Sequence, residues 1–243
     1  MKRVVIVGAT SGIGKDVALC MLQRGWLLGI AGRREELLEE LRAEYPENVI
    51  AYPIDIMKDD AAERLVYLIE QRGGMDLFFL SSGMGRQNPY LEEEIEVRTA
   101  ETNVVGFIRV ITAAYRYFEV KGEGHIAIVS SIAGTKGLGG APAYSATKRF
   151  QNTYMEALAQ LARIKNMDIC LTDIRPGFVD TALLNTKDHK YPMLMQSNKV
   201  AAAIMYALDK RRRIAVVDWR YRVLVFFWRL IPRWLWERLK ISN

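Results

Sequence analysis

Short aliphatic runs alternate with amphipathic helical stretches through residue 174, and this alternation leaves few architectures open to the chain. The strand-like runs cover residues 4–7, 26–31, 49–54, 77–80, 126–130 and 169–174, and helical patterns lie between them at 13–24, 34–45, 59–72, 93–118 and 144–164. The runs are mostly continuous in Val, Ile and Leu, as strands are when both faces of a parallel sheet are buried. Parallel neighbours need right-handed crossovers, so the expectation is an α/β fold with a doubly wound parallel sheet and ligands at the carboxyl ends of its strands. With 243 residues, half of them hydrophobic, one well-buried domain is expected.

The first run leads into Gly8-Ala9-Thr10-Ser11-Gly12-Ile13-Gly14 and then a helix. An ordinary turn would explain a lone glycine triplet. A strand before it and a helix after it favour a dinucleotide site, where glycine lets a pyrophosphate reach the backbone and the helix N-terminus offers free N–H groups. After the second run stands Gly32-Arg33-Arg34, with no acidic residue to take a ribose 2'-hydroxyl. The planar fork of Arg33 suits a 2'-phosphate, which favours NADP (NADPH) over NAD. The plainer reading is a solvated arginine pair, against which a cation opposes the dipole of the helix that follows.

Tyr144 and Lys148 stand four apart in Ala143-Tyr144-Ser145-Ala146-Thr147-Lys148, on one face of a helix. A free phenol has a pKa near 10, and a nearby ammonium favours its ionised form, so Tyr144 is a candidate acid/base residue. Such pairs also occur on solvated helix faces. Ser131 follows a buried strand, and Asn103 lies in an earlier helix. The glycine turn followed in order by Asn, Ser and Tyr-x3-Lys resembles the short-chain dehydrogenase/reductase family, from residue 3 to about residue 208.

The resemblance implies a Rossmann-like single domain and an oxidoreductase passing hydride between NADP(H) and a carbonyl or alcohol. Tyr144 would give the proton and Ser131 a hydrogen bond to the same oxygen. Lys148 would bind the nicotinamide ribose, and Asn103 would hold a water that links Lys148 to solvent. For cofactor binding it implies Gly8, Thr10, Ser11, Gly12, Ile13 and Gly14 in the turn, with Arg33 and Arg34 after the second strand. Asp55 would meet the adenine, while Ser81 and Gly83 lie beside the ribose. Pro176, Gly177, Val179 and Thr181 would wrap the nicotinamide. Where the family commonly has Asn-Asn-Ala-Gly, this chain has Leu80-Ser81-Ser82-Gly83. A homodimer or homotetramer is expected. The rival from another class is a non-catalytic dinucleotide-sensing or scaffolding protein on the same fold; it has no need of all four of Asn103, Ser131, Tyr144 and Lys148.

The segment 182–197 would close the pocket with Leu183, Leu184, Tyr191, Met193, Leu194 and Met195, which suits an apolar or lipid-like substrate; packing on its own core is the alternative. His125 and His189 show no ligand spacing and no metal is expected. Cys20 and Cys170 read as buried thiols in a reducing, cytoplasmic setting.

Charge sets the end of the chain apart. We divide it into a catalytic domain at 1–208 and an extension at 209–243 that holds the last strand and a basic, Trp-rich tail. The extension carries 10 basic and 3 acidic residues, a net of +7, against +6 for the whole chain, and four of the five tryptophans. No nucleic-acid module is recognised. An interfacial helix broken at Pro232, peripheral to the inner face of a membrane, is one reading; packing on the pocket rim or a second subunit is the other.

Overall fold

The computed structural model describes residues 1–182, 184 and 191–241. Its main sheet is built from β1 (Arg3–Val7), β2 (Leu27–Gly32), β3 (Val49–Pro53), β4 (Leu77–Leu80), β5 (Glu123–Val129), β6 (Asp168–Arg175) and β9 (Ile214–Val216). The spatial order is β3-β2-β1-β4-β5-β6-β9 with every pairing parallel. The order reverses between β1 and β4, so the crevice above their carboxyl ends is where a doubly wound sheet binds ligands. This is the Rossmann-like α/β fold expected from the alternating pattern, in a single domain.

Successive residues of β1 feed opposite faces. Val4 and Ile6 join one core cluster with Met21, Leu28 and Ile204, while Val5 and Val7 join the other with Phe78, Phe107 and Ile111. α1 (Gly12–Leu22), α2 (Glu35–Glu44) and α7 (Ser197–Asp209) supply the first cluster; α3 (Ala61–Gln71), α5 (Phe107–Lys121) and α6 (Pro142–Ile164) supply the second. Each fully buried Val, Leu or Phe contributes on the order of 1.5–3 kcal/mol, which is why a sheet buried on both faces holds the crevice rigid. α6 opens on Pro142, whose missing N–H costs nothing in a first turn, and α5 stops at Gly122 in the left-handed region, φ 83°.

Two stretches differ from the sequence expectation. The helix expected at 93–118 is α4 (Glu93–Ala100), a π-helical segment Glu101–Gly106 and α5. The wider turn comes where Gly106 packs on Ile56, whose carbonyl oxygen would lie 2.8 Å from a Cβ at that position. In the segment read as a pocket lid, Met195 is buried in the first core cluster and Met193 packs on it, so these two methionines fill core, not pocket. β7 (Val179–Asp180) and β8 (Met195–Gln196) close this segment as a small parallel pair. Leu183 and His189 lie outside the described residues.

Beyond β9 the chain forms α8 (Trp219–Leu230) and, after Pro232, the short α9 (Arg233–Trp236). No helix among the described residues is long and apolar enough to cross a membrane.

Candidate active site

The turn after β1 is shaped by the protein's own packing. Gly8 has φ 98°, and a Cβ there would stand 2.5 Å from the Ser82 amide nitrogen. Gly14 packs so closely on the Gly8 carbonyl that no side chain fits. Ser81 and Ser82 both donate their amides to Val7 O, at 2.8 and 3.1 Å, which locks the end of β4 to the turn. Ser81 and Ser82, where the family pattern has Asn-Ala, thus hold the junction through their backbone amides. Gly12, at the start of α1, faces Thr181, whose Cγ2 lies 3.0 Å from where a Cβ would stand. The turn and the segment after β6 therefore meet face to face at the carboxyl end of the sheet, with Ile13 packed below on the core.

At one end of the crevice Arg34 reaches back to the turn. Its Nη2 donates to Thr10 Oγ1 at 2.7 Å and to Ser11 Oγ at 2.6 Å. The exposed Arg33 lines a cavity of about 610 Å³ with Asp55, Met57, Lys58, Arg98 and Arg109. Asp55 is held in place by accepting from Met57 N at 3.1 Å. Neither Ser131 nor Tyr144 lines this cavity. Glu94 and Glu101 also line it, so its charge is mixed, with Arg33, Lys58, Arg98 and Arg109 facing three carboxylates. With glycine at the turn and Arg33 and Asp55 beyond it, the residues present fit a nicotinamide dinucleotide.

The other end is buried. Ser131 ends the crossing from β5 and caps the 3-10 turn Ile132–Thr135, its Oγ accepting from Ala133 N at 3.1 Å. The same hydroxyl is 3.4 Å from Pro176 O and hydrogen-bonds Tyr144. Burial raises the Tyr144 phenol above its ordinary value, and the bond to Ser131 opposes that rise. The expectation that Lys148 makes this phenol acidic is therefore corrected. The ammonium lies 5.8 Å from the Tyr144 ring centroid and is turned to Val129 O at 3.1 Å and Gln151 Oε1 at 3.0 Å. Burial also pushes Lys148 itself down to about 8, with Asp173 pulling it back up. At neutral pH this phenol keeps its proton, the form in which it can donate one.

Asn103 sits in the π-helical segment with its side chain committed. Nδ2 donates to Met84 O at 2.7 Å and to Thr147 Oγ1 at 3.1 Å, while Oδ1 accepts from Met84 N at 2.8 Å. Its carbonyl accepts from Gln151 Nε2 at 2.9 Å. The Gln151 amide thus bridges the Asn103 backbone carbonyl and the Lys148 ammonium. An amide relays hydrogen bonds and does not readily pass a proton, so Gln151 holds the ammonium in place. Two of the three Lys148 N–H groups are taken, and Gly83 lies beside them, a Cβ there being 3.5 Å from Nζ.

Several residues at this end were missed from sequence. Gln151 stands three after Lys148 on the same helix face, a spacing that a closer reading of the face would have caught. Gly85 packs on the Tyr144 ring, 2.9 Å from a would-be Cβ to Cε2. Behind Ser131, Ser130 Oγ donates to Asp173, Asn152 Nδ2 bridges both at 3.0 Å, and Arg175 pairs with Asp173 at 2.6 Å. Asp173 is fully buried in a strand that reads as apolar. Gly177 owes its identity to Tyr221 of α8, whose ring occupies the space of a side chain. Tyr221 OH accepts from Phe178 N and donates toward Pro192 O, both at 3.0 Å, so the tail clamps the 176–179 segment from behind.

His125 is buried in β5 against Thr172 at 2.8 Å, and burial lowers it to about 4, a neutral core imidazole at pH 7. Cys20 and Cys170 are free thiols, both partly buried. Among the described residues no group of His, Cys, Asp and Glu is arranged to hold a metal.

Comparison with known proteins bears on the same residues. The family described as short chain dehydrogenase matches residues 2–192. A relative from Myxococcus xanthus (strain DK1622), called an uncharacterized oxidoreductase, is 31% identical over 239 residues, 96% of this chain and 94% of its own. Among solved structures, a 3-ketoacyl-(acyl-carrier-protein) reductase from Brucella melitensis, complexed with NADH, aligns with a TM-score of 0.78 at 22% identity, over 89% of this chain and 96% of its own. A short-chain dehydrogenase from Sphingobium yanoikuyae in complex with NADPH aligns with a TM-score of 0.79 at 20% identity, over 100% and 98%.

Proposed function

The chain belongs to the short-chain dehydrogenase family of oxidoreductases, and on that premise we propose that it is an NADP(H)-dependent carbonyl reductase or alcohol dehydrogenase. The observation that carries the proposal is the cluster of half-buried Tyr144 with buried Ser131 and Lys148 at one end of a cleft whose other end carries Arg33. When bound, the nicotinamide supplies or accepts the hydride. The rest is done by this chain. Ser131 and Tyr144 point their hydroxyls at one oxygen, so charge growing there in the transition state meets two donors in a dry site. Tyr144, kept protonated by burial, gives its proton to that oxygen. Lys148, steadied by Val129 and Gln151, would offer its remaining N–H to the nicotinamide ribose. Arg33, with Arg34 tying down the turn, would receive the 2'-phosphate, and Asp55 the adenine edge.

The substrate class that best suits the site is an apolar or lipid-like ketone or alcohol, since the Phe178 and Tyr191 rings meet at 4.9 Å, tilted by 41°, beside the segment that closes it. Assembly as a homodimer or homotetramer belongs to the same proposal. The test is a screen of ketones with NADPH and NADH, including acyl and isoprenoid ketones in detergent. The proposal expects NADPH oxidation with at least one apolar ketone, lost in Tyr144→Phe. Tight NADPH binding with no turnover on any carbonyl would favour the sensor reading instead.

A further inference from the structure

α8 has two opposed faces. Tyr221 and Val225 are buried, and Trp228 packs with them against the core. Trp219, Val223, Phe226, Phe227 and Leu230 are 47–66% exposed. At 3.6 residues per turn these five fall within an arc of about 100° on the side away from the core. A soluble helix normally puts charge on that side. Here charge is confined to the edges of the stripe: Arg220, paired with Asp218, lies along one, and Arg222 and Arg229 along the other, exposed and with no ion pair among the described residues. α9 continues the surface with Trp234, 60% exposed and covered on one side by Arg238 at 5.5 Å.

We infer that this outer face of α8 and α9 docks on an anionic lipid bilayer. Aromatic rings at headgroup depth beside arginines that meet lipid phosphate are what such a surface asks of a helix lying in its plane. The charge selects the occupant. A second copy of the chain would bring one +7 extension against another, and the arginine rims of the two stripes would repel. A nucleic acid would satisfy the arginines and leave five apolar side chains against water.

The inner face gives docking a consequence. Trp228 Nε1 donates to Thr135 Oγ1 at 2.9 Å, Trp236 Nε1 to Gly137 O at 2.7 Å, and Lys136 Nζ to Ile231 O at 2.8 Å. The tail is therefore fastened to the loop that follows Ser131. If the oxidoreductase reading holds, a docked tail sets the rim of the site at the bilayer, and a lipid-borne carbonyl would reach Tyr144 without crossing water.

The experiment is co-sedimentation of the full-length protein with vesicles of phosphatidylglycerol and phosphatidylcholine, or of phosphatidylcholine alone, at low and high salt. Binding to the anionic vesicles, weakened by salt, is expected, with tryptophan fluorescence quenched by brominated lipid. Arg222→Glu with Arg229→Glu should weaken partitioning by roughly 30-fold or more, since each basic residue near an anionic surface is worth about fivefold. Phe226→Gln with Phe227→Gln should weaken it by at least about tenfold, and being exposed should leave the circular dichroism melt unchanged. Wild type that ignores anionic vesicles at low salt overturns the inference, as does binding that the double Gln variant leaves intact, or a dimer that the same variant dissolves in the absence of any vesicle binding. Carbonyl turnover enters none of these readouts, so failure here and failure of the oxidoreductase reading are told apart.

Discussion

The two ends of the cleft use charge in opposite ways. At one end Arg33 and Arg34 are exposed, Arg33 at the surface of an open cavity and Arg34 tied to the turn. At the other end burial lowers Lys148 to about 8 and raises the Tyr144 phenol. Exposed cations recognise a phosphate and are screened by salt over about 8–10 Å. Buried groups have their proton affinities set by desolvation, which suits proton transfer. The difference teaches that cofactor choice and chemistry are separable on this scaffold, and substitutions at each end should show it.

The largest effect belongs to the buried end. Tyr144→Phe removes the proton donor alone, so turnover should fall by about 10² or more with NADPH affinity unchanged, as read by fluorescence titration. Next comes the exposed end, where Arg33→Ala should shift the NADPH/NADH affinity ratio by roughly ten- to a hundredfold, the worth of one charge-assisted hydrogen bond. An unchanged ratio would move 2'-phosphate recognition to Arg34. Between the two lies the Tyr221 clamp. Gly177→Ala puts a methyl into the Tyr221 ring and should cost about 1–3 kcal/mol in thermal or urea unfolding. Pairing it with Tyr221→Leu should recover part of the loss.

The pH dependence of stability isolates Lys148. Burial lowers its native value from 10.5 to about 8, so below pH 8 both states hold the proton and the cost of burying the charge is fully present. Between about 8 and 10.5 the unfolded chain binds more protons, and wild-type stability should rise relative to Lys148→Met by up to about 3 kcal/mol across that window. A flat difference would mean the ammonium is solvated. The smallest effect is expected of Gln151→Leu, which removes the bridge between Lys148 and Asn103. It should shift the alkaline limb of the turnover profile while changing turnover at its optimum by only a few fold.

The sheet was legible because its strands are unbroken apolar runs, and the cofactor turn because glycine is forced there by contacts as close as that between Gly8 and Ser82. Tyr144, Lys148, Ser131 and Asn103 were legible as an ordered set and do converge in space. What sequence did not give is how they are held. Gln151 joins residues 48 apart in the chain, and Asp173 is a buried charge inside an apolar pattern whose partners are Ser130 after β5, Asn152 of α6 and Arg175 of its own strand. The acidic phenol was inferred from an i,i+4 spacing, but spacing carries no information on where an ammonium turns once Val129 O and Gln151 Oε1 compete for it. The tail showed its composition in sequence; only the fold shows that its tyrosine side faces Gly177 and its phenylalanines face out.

The separability of the two ends is the central claim, and one cycle of variants tests it. kcat/KM for ketone reduction by NADPH is measured for wild type, Arg33→Ala, Tyr144→Phe and the double variant, with NADPH affinity recorded on each sample. Independent ends predict that the double variant loses the product of the two single losses, with the Arg33 loss carried by NADPH affinity and the Tyr144 loss carried by turnover. A double variant no worse than Tyr144→Phe alone, or an Arg33→Ala enzyme whose loss lies in turnover at saturating NADPH, would contradict the account.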